Sequence, residues 1–279
     1  MRIFLTGSTG FIGSHLMLQA LAEGHELVAL RRPTGPKPVV QLPLQPRWVE
    51  KGLMELEPED LEGCEVVVHL ASAGVSPKQV PWQQLVEANV MGSAALIATA
   101  QSAGIRRLVV AGTCHEYGIS ARRYTAIPVG APLEPNNLYG ASKAAAYQLL
   151  AAYARVQGLE LFYGRIFSAY GEGQYEGNFW PSLRKAALSG ADFPMTSGSQ
   201  VRDFMPVEDV AAVLLEACQR PDLRAGEPCV ENIGTGRPRT LLDFAEQEWK
   251  RFGGKGRLLP GHVADRADEV DRFAPLIHR

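Results

Sequence analysis

The sequence predicts an α/β fold: a Rossmann-type doubly wound parallel sheet with a smaller C-terminal substrate-binding lobe. Short apolar runs alternate with helix-periodic segments over the first two thirds of the chain, as in a parallel sheet with helices on both faces. A glycine-rich turn follows the first apolar run. Beyond residue 170 the alternation gives way to glycine-rich loops and short strands. We therefore assign residues 1–170 to the sheet domain and 171–279 to a lobe that is intertwined with it.

The elements of the sheet domain are expected in regular alternation. Apolar runs predict strands at Ile3–Thr6, Glu26–Leu30, Glu65–Leu70, Arg107–Ala111 and Leu159–Ile166. Helical periodicity predicts helices between them, at about 12–23, 83–103 and 139–157. Each strand and the helix that follows it form a βα unit of ordinary length, so a doubly wound sheet is the natural assembly.

Two other parts of the chain have a different character. The proline-rich stretch 31–50 predicts an irregular surface crossing. In the lobe, helices are expected from Phe179 to about Leu188 and over Val207–Gln219.

Composition restricts the classes of function. The 279 residues are 46% hydrophobic and 21% charged, as in ordinary globular proteins. The net charge of −2 gives no long-range attraction to nucleic acid or to an anionic membrane. No apolar run reaches the roughly 18 residues that span a bilayer, and the N-terminus lacks signal-peptide features. We expect a cytoplasmic protein without a nucleic-acid or membrane partner. Metal-ligand spacing is missing among the cysteines, which are Cys64, Cys114, Cys218 and Cys229.

Tyr139 and Lys143 are the most informative pair of residues. They lie four residues apart in a predicted helix, so their side chains share one face. A phenol has an ordinary pKa of about 10, and an ammonium one turn away favours phenolate, so the phenol can exchange a proton with an alcohol or ketone. This chemistry is typical of hydride transfer. Because the same spacing is common in solvated helices, other features must support the assignment.

The turn after the first strand supplies such support. Its glycines have the spacing GxxGxxG and open the first helix. Glycine permits close approach of the backbone to a pyrophosphate, which free N–H groups and the helix dipole stabilise. A turn without any ligand is the alternative. We expect a dinucleotide to be bound by Gly7, Thr9, Gly10, Phe11, Ile12 and Gly13.

Arg31 and Arg32 bear on the choice of dinucleotide. They follow the second strand, where NAD-selective folds usually carry an acidic residue for the ribose hydroxyls. A guanidinium can instead pair with a 2′-phosphate through two hydrogen bonds. We therefore favour NADP as cofactor, with NAD still possible. The alternative is that the arginines point into solvent.

A series of motifs runs in order along almost the whole chain: Gly7–Gly13, Val67–Ala71, Asn89–Gly92, Thr113–Gly118, the Tyr139/Lys143 pair, Arg165–Gly171, Val201–Val210 and Asn232–Gly236. Together these motifs resemble an extended short-chain dehydrogenase/reductase of the NAD(P)-dependent epimerase/dehydratase family, which acts on nucleotide sugars. Such motifs are specific for the family and much less specific for the substrate.

The resemblance implies three catalytic residues. Tyr139 resembles the acid/base, and Lys143 the residue that lowers its pKa and binds the nicotinamide ribose. Thr113 resembles the residue that forms a hydrogen bond with the reacting sugar oxygen. Asn89 resembles an asparagine that supports the site from the neighbouring helix, although a simple buried polar residue is an alternative. Further cofactor contacts are expected from Leu70, Ala71, Ser72, Ala73 and Ile166.

The substrate side is implied in the same way. Arg202 resembles the arginine that binds the nucleotide diphosphate, and a structural ion pair with Asp203 is the alternative. Asn178 and His115 are the other expected substrate contacts. Cys114 and His115 stand where dehydratases of the family carry an Asp-Glu or Glu-Lys pair, so dehydration is disfavoured. His115 is either a second acid or a structural histidine.

These residues favour an NADP(H)-dependent oxidoreductase that reduces a nucleotide-linked 4-keto (deoxy)sugar. The alternative is a nucleotide-sugar epimerase that oxidises C4 transiently with tightly bound NAD(P). A non-catalytic dinucleotide-binding sensor is the alternative of another class, and the presence of both Tyr139 and Lys143 argues against it. We expect a nucleotide sugar as the substrate, no metal, and a homodimer.

Overall fold

The computed structural model describes residues 1–75, 80–265 and 270–277. Within them the strands are β1 Arg2–Thr6, β2 Glu26–Arg31, β3 Arg47–Glu50, β4 Val66–His69, β5 Arg107–Thr113, β6 Glu160–Ile166, β7 Ser168–Tyr170, β8 Phe193–Pro194, β9 Val201–Arg202, β10 Phe204–Pro206, β11 Cys229–Ile233, β12 Arg239–Thr240, β13 Leu258–Leu259 and β14 Arg272–Phe273. The α-helices are α1 Phe11–Ala22, α2 Trp82–Leu85, α3 Gly92–Ser102, α4 Leu138–Gln157, α5 Phe179–Ser189, α6 Val207–Ala217 and α7 Leu241–Arg251.

The main sheet confirms the predicted fold. It has seven parallel strands in the order β11-β6-β5-β4-β1-β2-β3. The chain proceeds outward from β1 in one direction through β2 and β3, and in the other direction through β4, β5 and β6. The crevice beyond the carboxyl ends of β1 and β4 lies at this reversal, where open α/β sheets bind their ligands.

Helices cover both faces of the sheet, and β1 shows how its side chains divide between them. Ile3 and Leu5 belong to the core formed with α1 and α6, whereas Phe4 belongs to the core formed with α3 and α4. This alternation follows from the two-residue period of a strand. Because both faces are buried, the strand is apolar throughout.

Most predicted elements are confirmed to within two residues. The helix expected at 83–103 is interrupted, because the π-helical turn Val86–Met91 joins α2 to α3. The prediction of an irregular crossing over residues 31–50 is wrong for Arg47–Glu50, which form β3 on the edge of the sheet. An edge strand needs only one apolar side, and here Val49 is buried whereas Arg47 and Glu50 are exposed.

The remaining elements lie against the carboxyl edge of the sheet. Helices α5 and α7 pack together with Leu183 and Trp249 in their core. Small ladders accompany them, formed by β8 with β13 and by β9 with β12 and β14. The chain also returns to the main sheet, because β11 pairs with β6 and α6 packs on α1. The residues after 170 are thus divided between lobe and sheet.

Candidate active site

The glycine turn after β1 packs tightly against the protein's own backbone and leads into α1 without a capping side chain. Gly7 has φ of +68°, and a Cβ there would lie 2.6 Å from the Ala71 nitrogen. A Cβ on Gly13 would lie 2.2 Å from the Gly7 oxygen. Gly10 begins α1 without any side-chain cap, so the first N–H groups of the helix are available to an anion. The turn containing Thr9 and leading into Phe11 and Ile12 therefore fits a dinucleotide pyrophosphate.

The two arginines after β2 differ in their surroundings. Arg31 Nε donates a hydrogen bond to Glu50 Oε1 at 3.0 Å, and the guanidinium carbon lies 4.6 Å from the centre of the Trp48 ring. Arg31 and Glu50 are directly paired across β2 and β3. Arg32 is exposed. The charge of Arg31 is thus already matched by a carboxylate within the fold.

Asn89 joins the loop after β4 to helix α4. Its side chain lies in the π-helical turn and is 1% exposed. The Oδ1 atom accepts hydrogen bonds from Ser72 Oγ at 3.0 Å and from Ala73 N at 2.8 Å. The Nδ2 atom donates to Ala73 O at 3.1 Å and to Ser142 Oγ at 2.8 Å. Asn89 thereby fixes the loop that follows Leu70 and Ala71.

Tyr139 is brought together with Thr113 and Ser72. Hydrogen bonds from Tyr139 to both side chains act on its phenol. Thr113 ends β5 and Tyr139 lies in the first turn of α4. The helix approaches closely because residue 140 is glycine, where a Cβ would lie 2.4 Å from the His115 oxygen. Two of the three expected catalytic residues are therefore in direct contact.

The pKa values of Tyr139 and Lys143 are shifted by burial. Burial raises the pKa of the Tyr139 phenol, the charge of Glu116 raises it further, and the hydrogen bonds with Ser72 and Thr113 lower it. Burial lowers the pKa of Lys143, and Glu116 raises it. The sequence predicts that Lys143 lowers the pKa of Tyr139. In the structure burial is the largest influence on the pKa of the phenol, and it favours the protonated form.

The expected substrate residues occupy two places. The His115 ring centre lies 6.2 Å from that of Tyr139 and 5.5 Å from that of Phe273. The Arg202 guanidinium carbon lies 5.4 Å from the centre of the same Phe273 ring. His115 thus neighbours both Tyr139 and Phe273, and Arg202 lies against the same Phe273 ring. Asn178 lies at the N-cap of α5, where its side chain forms no capping hydrogen bond.

Two further sequence assignments can be placed. Ile166 is buried and pairs directly with Thr113 across β5 and β6. Asp203 is buried, and its two carboxylate oxygens accept hydrogen bonds from the Thr235 amide at 2.7 Å and the Arg237 amide at 3.1 Å. These contacts direct the Asp203 carboxylate to the turn after β11.

Sequence reasoning missed a buried ion pair beneath Thr113. Arg165 Nε donates a hydrogen bond to Glu116 Oε2 at 2.8 Å. Glu116 is 0% exposed and Arg165 is 2% exposed. Both residues lie inside motifs quoted above. A charged residue at the end of each of two apolar strands was the available signal, but the pairing of β5 with β6 was needed to interpret it.

Among residues 1–75, 80–265 and 270–277, no group of three or more His, Cys, Asp or Glu side chains could hold a metal ion. In the same part of the chain, no helix combines the length and the apolar character needed to cross a membrane.

Comparison with known proteins identifies the family. The model of the NAD dependent epimerase/dehydratase family matches residues 3–234. The chain is 30% identical to a dTDP-glucose 4,6-dehydratase of Streptomyces niveus, over 98% of this chain and 84% of the relative. It is 26% identical to a UDP-glucose 4-epimerase of Corynebacterium glutamicum, over 95% of this chain and 84% of the relative.

A solved structure gives the same result. MoeE5 in complex with UDP-glucuronic acid and NAD is similar with a TM-score of 0.81 and 29% identity, covering 97% of this chain and 88% of MoeE5. The glycine turn, the Thr113–Tyr139–Lys143 group and these matches agree. The chain belongs to the NAD-dependent epimerase/dehydratase family and is an NAD(P)-dependent enzyme of the extended short-chain dehydrogenase/reductase type.

Proposed function

We propose that this enzyme reduces the keto group of a nucleotide-linked 4-keto (deoxy)sugar with NADPH. The observation that carries the proposal is the contact of the Tyr139 phenol with the Thr113 and Ser72 side chains. A phenol held there can give its proton to a carbonyl oxygen, which is the proton transfer that a reduction requires. The relatives named above carry the names of enzymes that act on dTDP-glucose and UDP-glucose, which supports a nucleotide sugar as substrate.

The site residues account for the proton in this reaction. A reduced dinucleotide, when bound, supplies the hydride to the carbonyl carbon. Tyr139 donates its phenolic proton to the carbonyl oxygen, and this gives the alcohol. Thr113, which contacts Tyr139, orients the same oxygen through its hydroxyl. Lys143 lies one helical turn from Tyr139 and stabilises the phenolate that remains after transfer.

Arg32 supports NADP as the cofactor. Arg31 is held by Glu50, whereas Arg32 is exposed at the end of β2, where a 2′-phosphate can pair with its guanidinium. A charge-assisted hydrogen bond contributes about 1.5–3 kcal/mol, so Arg32→Gln should weaken NADPH binding at least about tenfold and leave NADH binding unchanged. Arg31→Gln is the matched control. MoeE5 holds NAD, and a wild-type preference for NADH would contradict the assignment.

The substrate side rests on Arg202, His115 and Asn178. Arg202 and His115 lie around the Phe273 ring next to Tyr139, which is a suitable position for a cation that binds a diphosphate. Asn178 opens α5 in the lobe, at a helix N-terminus where an anion is favoured. We assign the nucleotide diphosphate to this side of the cleft.

The decisive experiment is incubation of the pure protein with a panel of nucleotide 4-keto sugars and NADPH. If the amount of NADPH oxidised, measured from the loss of nicotinamide absorbance, equals the amount of alcohol formed, the result supports the reductase. Sugar isomerisation without net loss of absorbance instead supports the epimerase, which uses the same three residues and which the Corynebacterium relative favours. Dinucleotide binding without turnover of any sugar would support the sensor.

Exposed apolar residues support a homodimer. Leu149 and Val156 lie two turns apart on one face of α4 and are exposed, Val156 by 80%. Met91, on the π-helical turn next to α4, is also exposed. Apolar side chains gathered on neighbouring helices are typical of an interface. Light scattering should give a dimer for the wild type and a monomer for the Leu149→Glu, Val156→Glu double variant.

We also propose a cytoplasmic location.

A further inference from the structure

Glu116 is a buried carboxylate with three hydrogen-bond donors. Its Oε1 atom accepts hydrogen bonds from the Thr113 amide at 2.9 Å and from the Tyr163 hydroxyl at 2.8 Å. Its Oε2 atom accepts from Arg165 Nε at 2.8 Å. A buried charge is costly unless it is paired and hydrogen-bonded. Here the carboxylate is fully partnered, and one of its partners is the backbone of Thr113.

Arg165 extends this network to the catalytic helix. Its Nη1 atom donates hydrogen bonds to the Tyr117 hydroxyl and to the Val129 carbonyl, both at 3.1 Å. Its guanidinium carbon lies 4.7 Å from the centre of the Tyr147 ring, and Tyr147 follows Lys143 by one turn of α4. The network therefore contacts the end of β5, the strand β6 and the helix that carries Tyr139.

The charge of Glu116 also acts on the groups that transfer the proton. Among the described residues, the titratable groups around Tyr139 are Cys114, His115 and Glu116 on the turn after β5, Tyr163 on β6 and Lys143 on its own helix. Burial raises the pKa of the Cys114 thiol to about 12, so it stays neutral. Glu116 is the anion of this group, and it raises the pKa of both Tyr139 and Lys143.

We propose that Glu116 is a positioning residue, whose carboxylate holds the Thr113 backbone in place and puts a buried negative charge beneath the site of the proton donor Tyr139. This inference rests on the proposed role of Tyr139 as proton donor. Glu116 does not touch the reacting atoms. It acts through Thr113 by geometry and through Tyr139 by its charge.

The test separates charge from geometry. Glu116→Gln removes the charge and keeps the side-chain length, so the alkaline limb of the kcat/KM profile should move down by about one pH unit. Glu116→Asp keeps the charge but moves the carboxylate away from the Thr113 amide. The alkaline limb should therefore stay at the wild-type pH, whereas kcat should fall about tenfold and KM for NADPH should be unchanged. Glu160→Gln is the control, because Glu160 pairs with Arg107 across the same two strands, at the end far from Thr113.

Each result has a defined meaning. Coincident pH profiles for the wild type, Glu116→Gln and Glu160→Gln would overturn the role of the charge, and an unchanged kcat in Glu116→Asp would overturn the role in positioning. If the wild type isomerises sugars instead of reducing them, the proposed function fails and the same limb is measured on isomerisation. If the wild type converts no sugar, the inference is tested by the rate of hydrogen exchange of the Thr113 amide. Exchange at least tenfold faster in Glu116→Asp than in the wild type is expected, and equal exchange would overturn the inference.

Discussion

Asn89 donates a hydrogen bond to the Ser142 hydroxyl, and this contact connects the cofactor loop to the catalytic helix. The distance from Nδ2 to Oγ is 2.8 Å, and Ser142 Oγ in turn donates to the Tyr139 carbonyl at 2.8 Å. Asn89 also accepts from the Ala73 amide. The position of Tyr139 therefore depends on a side chain that lies 50 residues earlier in the chain.

Asn89→Leu should destabilise the fold markedly. The substitution nearly preserves volume but leaves the Ala73 amide without its partner and removes the hydrogen bonds of Asn89 with Ser72 and Ser142, and a buried unsatisfied group costs about 1–3 kcal/mol. We expect the free energy of unfolding in urea to fall by about 3 kcal/mol. Asn178→Leu is the control, because the Asn178 side chain forms no capping bond, and its effect should stay within about 0.5 kcal/mol. Equal effects of the two substitutions would contradict the bridging role.

Tyr139→Phe should abolish turnover and spare dinucleotide binding. The ring is retained, but the proton is lost, and general acid catalysis contributes about 10²–10⁴-fold to a rate. Steady-state kinetics with NADPH and fluorescence titration of the dinucleotide test the two parts. More than a tenth of wild-type activity would show that another group is the acid, and His115, whose ring is adjacent, is the first to examine.

Arg202→Ala should raise KM for the nucleotide sugar strongly and leave dinucleotide affinity intact. The guanidinium lies beside the Phe273 ring near the reaction centre, and a permanent cation there suits a diphosphate. Thermal melting provides the control measurement. A large fall in melting temperature with unchanged KM would establish a structural role, as in an ion pair with Asp203.

Stability should fall in mild acid because of His69. This buried ring bonds to the Thr6 and Ser93 hydroxyls at 2.7 and 2.8 Å, and burial lowers its pKa from 6.5 to about 3. Below pH 6.5 the unfolded chain binds a proton at His69 that the folded chain does not. Stability should therefore decrease by about 2 kcal/mol from pH 7 to pH 5. Urea unfolding of His69→Gln at both pH values should lack this component, and an equal decrease in the variant would refute the assignment.

The sequence allowed the βαβ core to be predicted because its signals are local. The glycine turn and the apolar periodicity of α1 and α4 lie within each element. Strand β3 was missed because Arg47–Glu50 has only two apolar residues between its charged ends and follows a proline-rich stretch. Its pairing with β2 is a tertiary contact. The π-helical turn Val86–Met91 was missed because a helical pattern over 83–103 does not show which carbonyl each N–H group bonds to.

The site was predictable at the level of motifs and not at the level of contacts. Thr113 and Tyr139 do meet, as their places in the family pattern predict. The pairing of Arg31 with Glu50 and of Glu116 with Arg165 depends on strand register, which the sequence does not display. Burial likewise decides the pKa of Tyr139, and burial is a property of the assembled fold.

Helix α1 is synthesised early, but the residues that cover its apolar face are synthesised late. Leu16 and Met17 of α1 are buried in a core that also contains Val210 and Leu214 of α6, and the sheet ends in β11, which is completed by Ile233. A nascent chain of 170 residues would therefore present an apolar helix face to water. Domains generally fold as units during synthesis, so we expect this enzyme to reach its stable sheet only after residue 233 has left the ribosome. The glycine turn is synthesised first, but helix α1, which follows it, is covered only when α6 has been made.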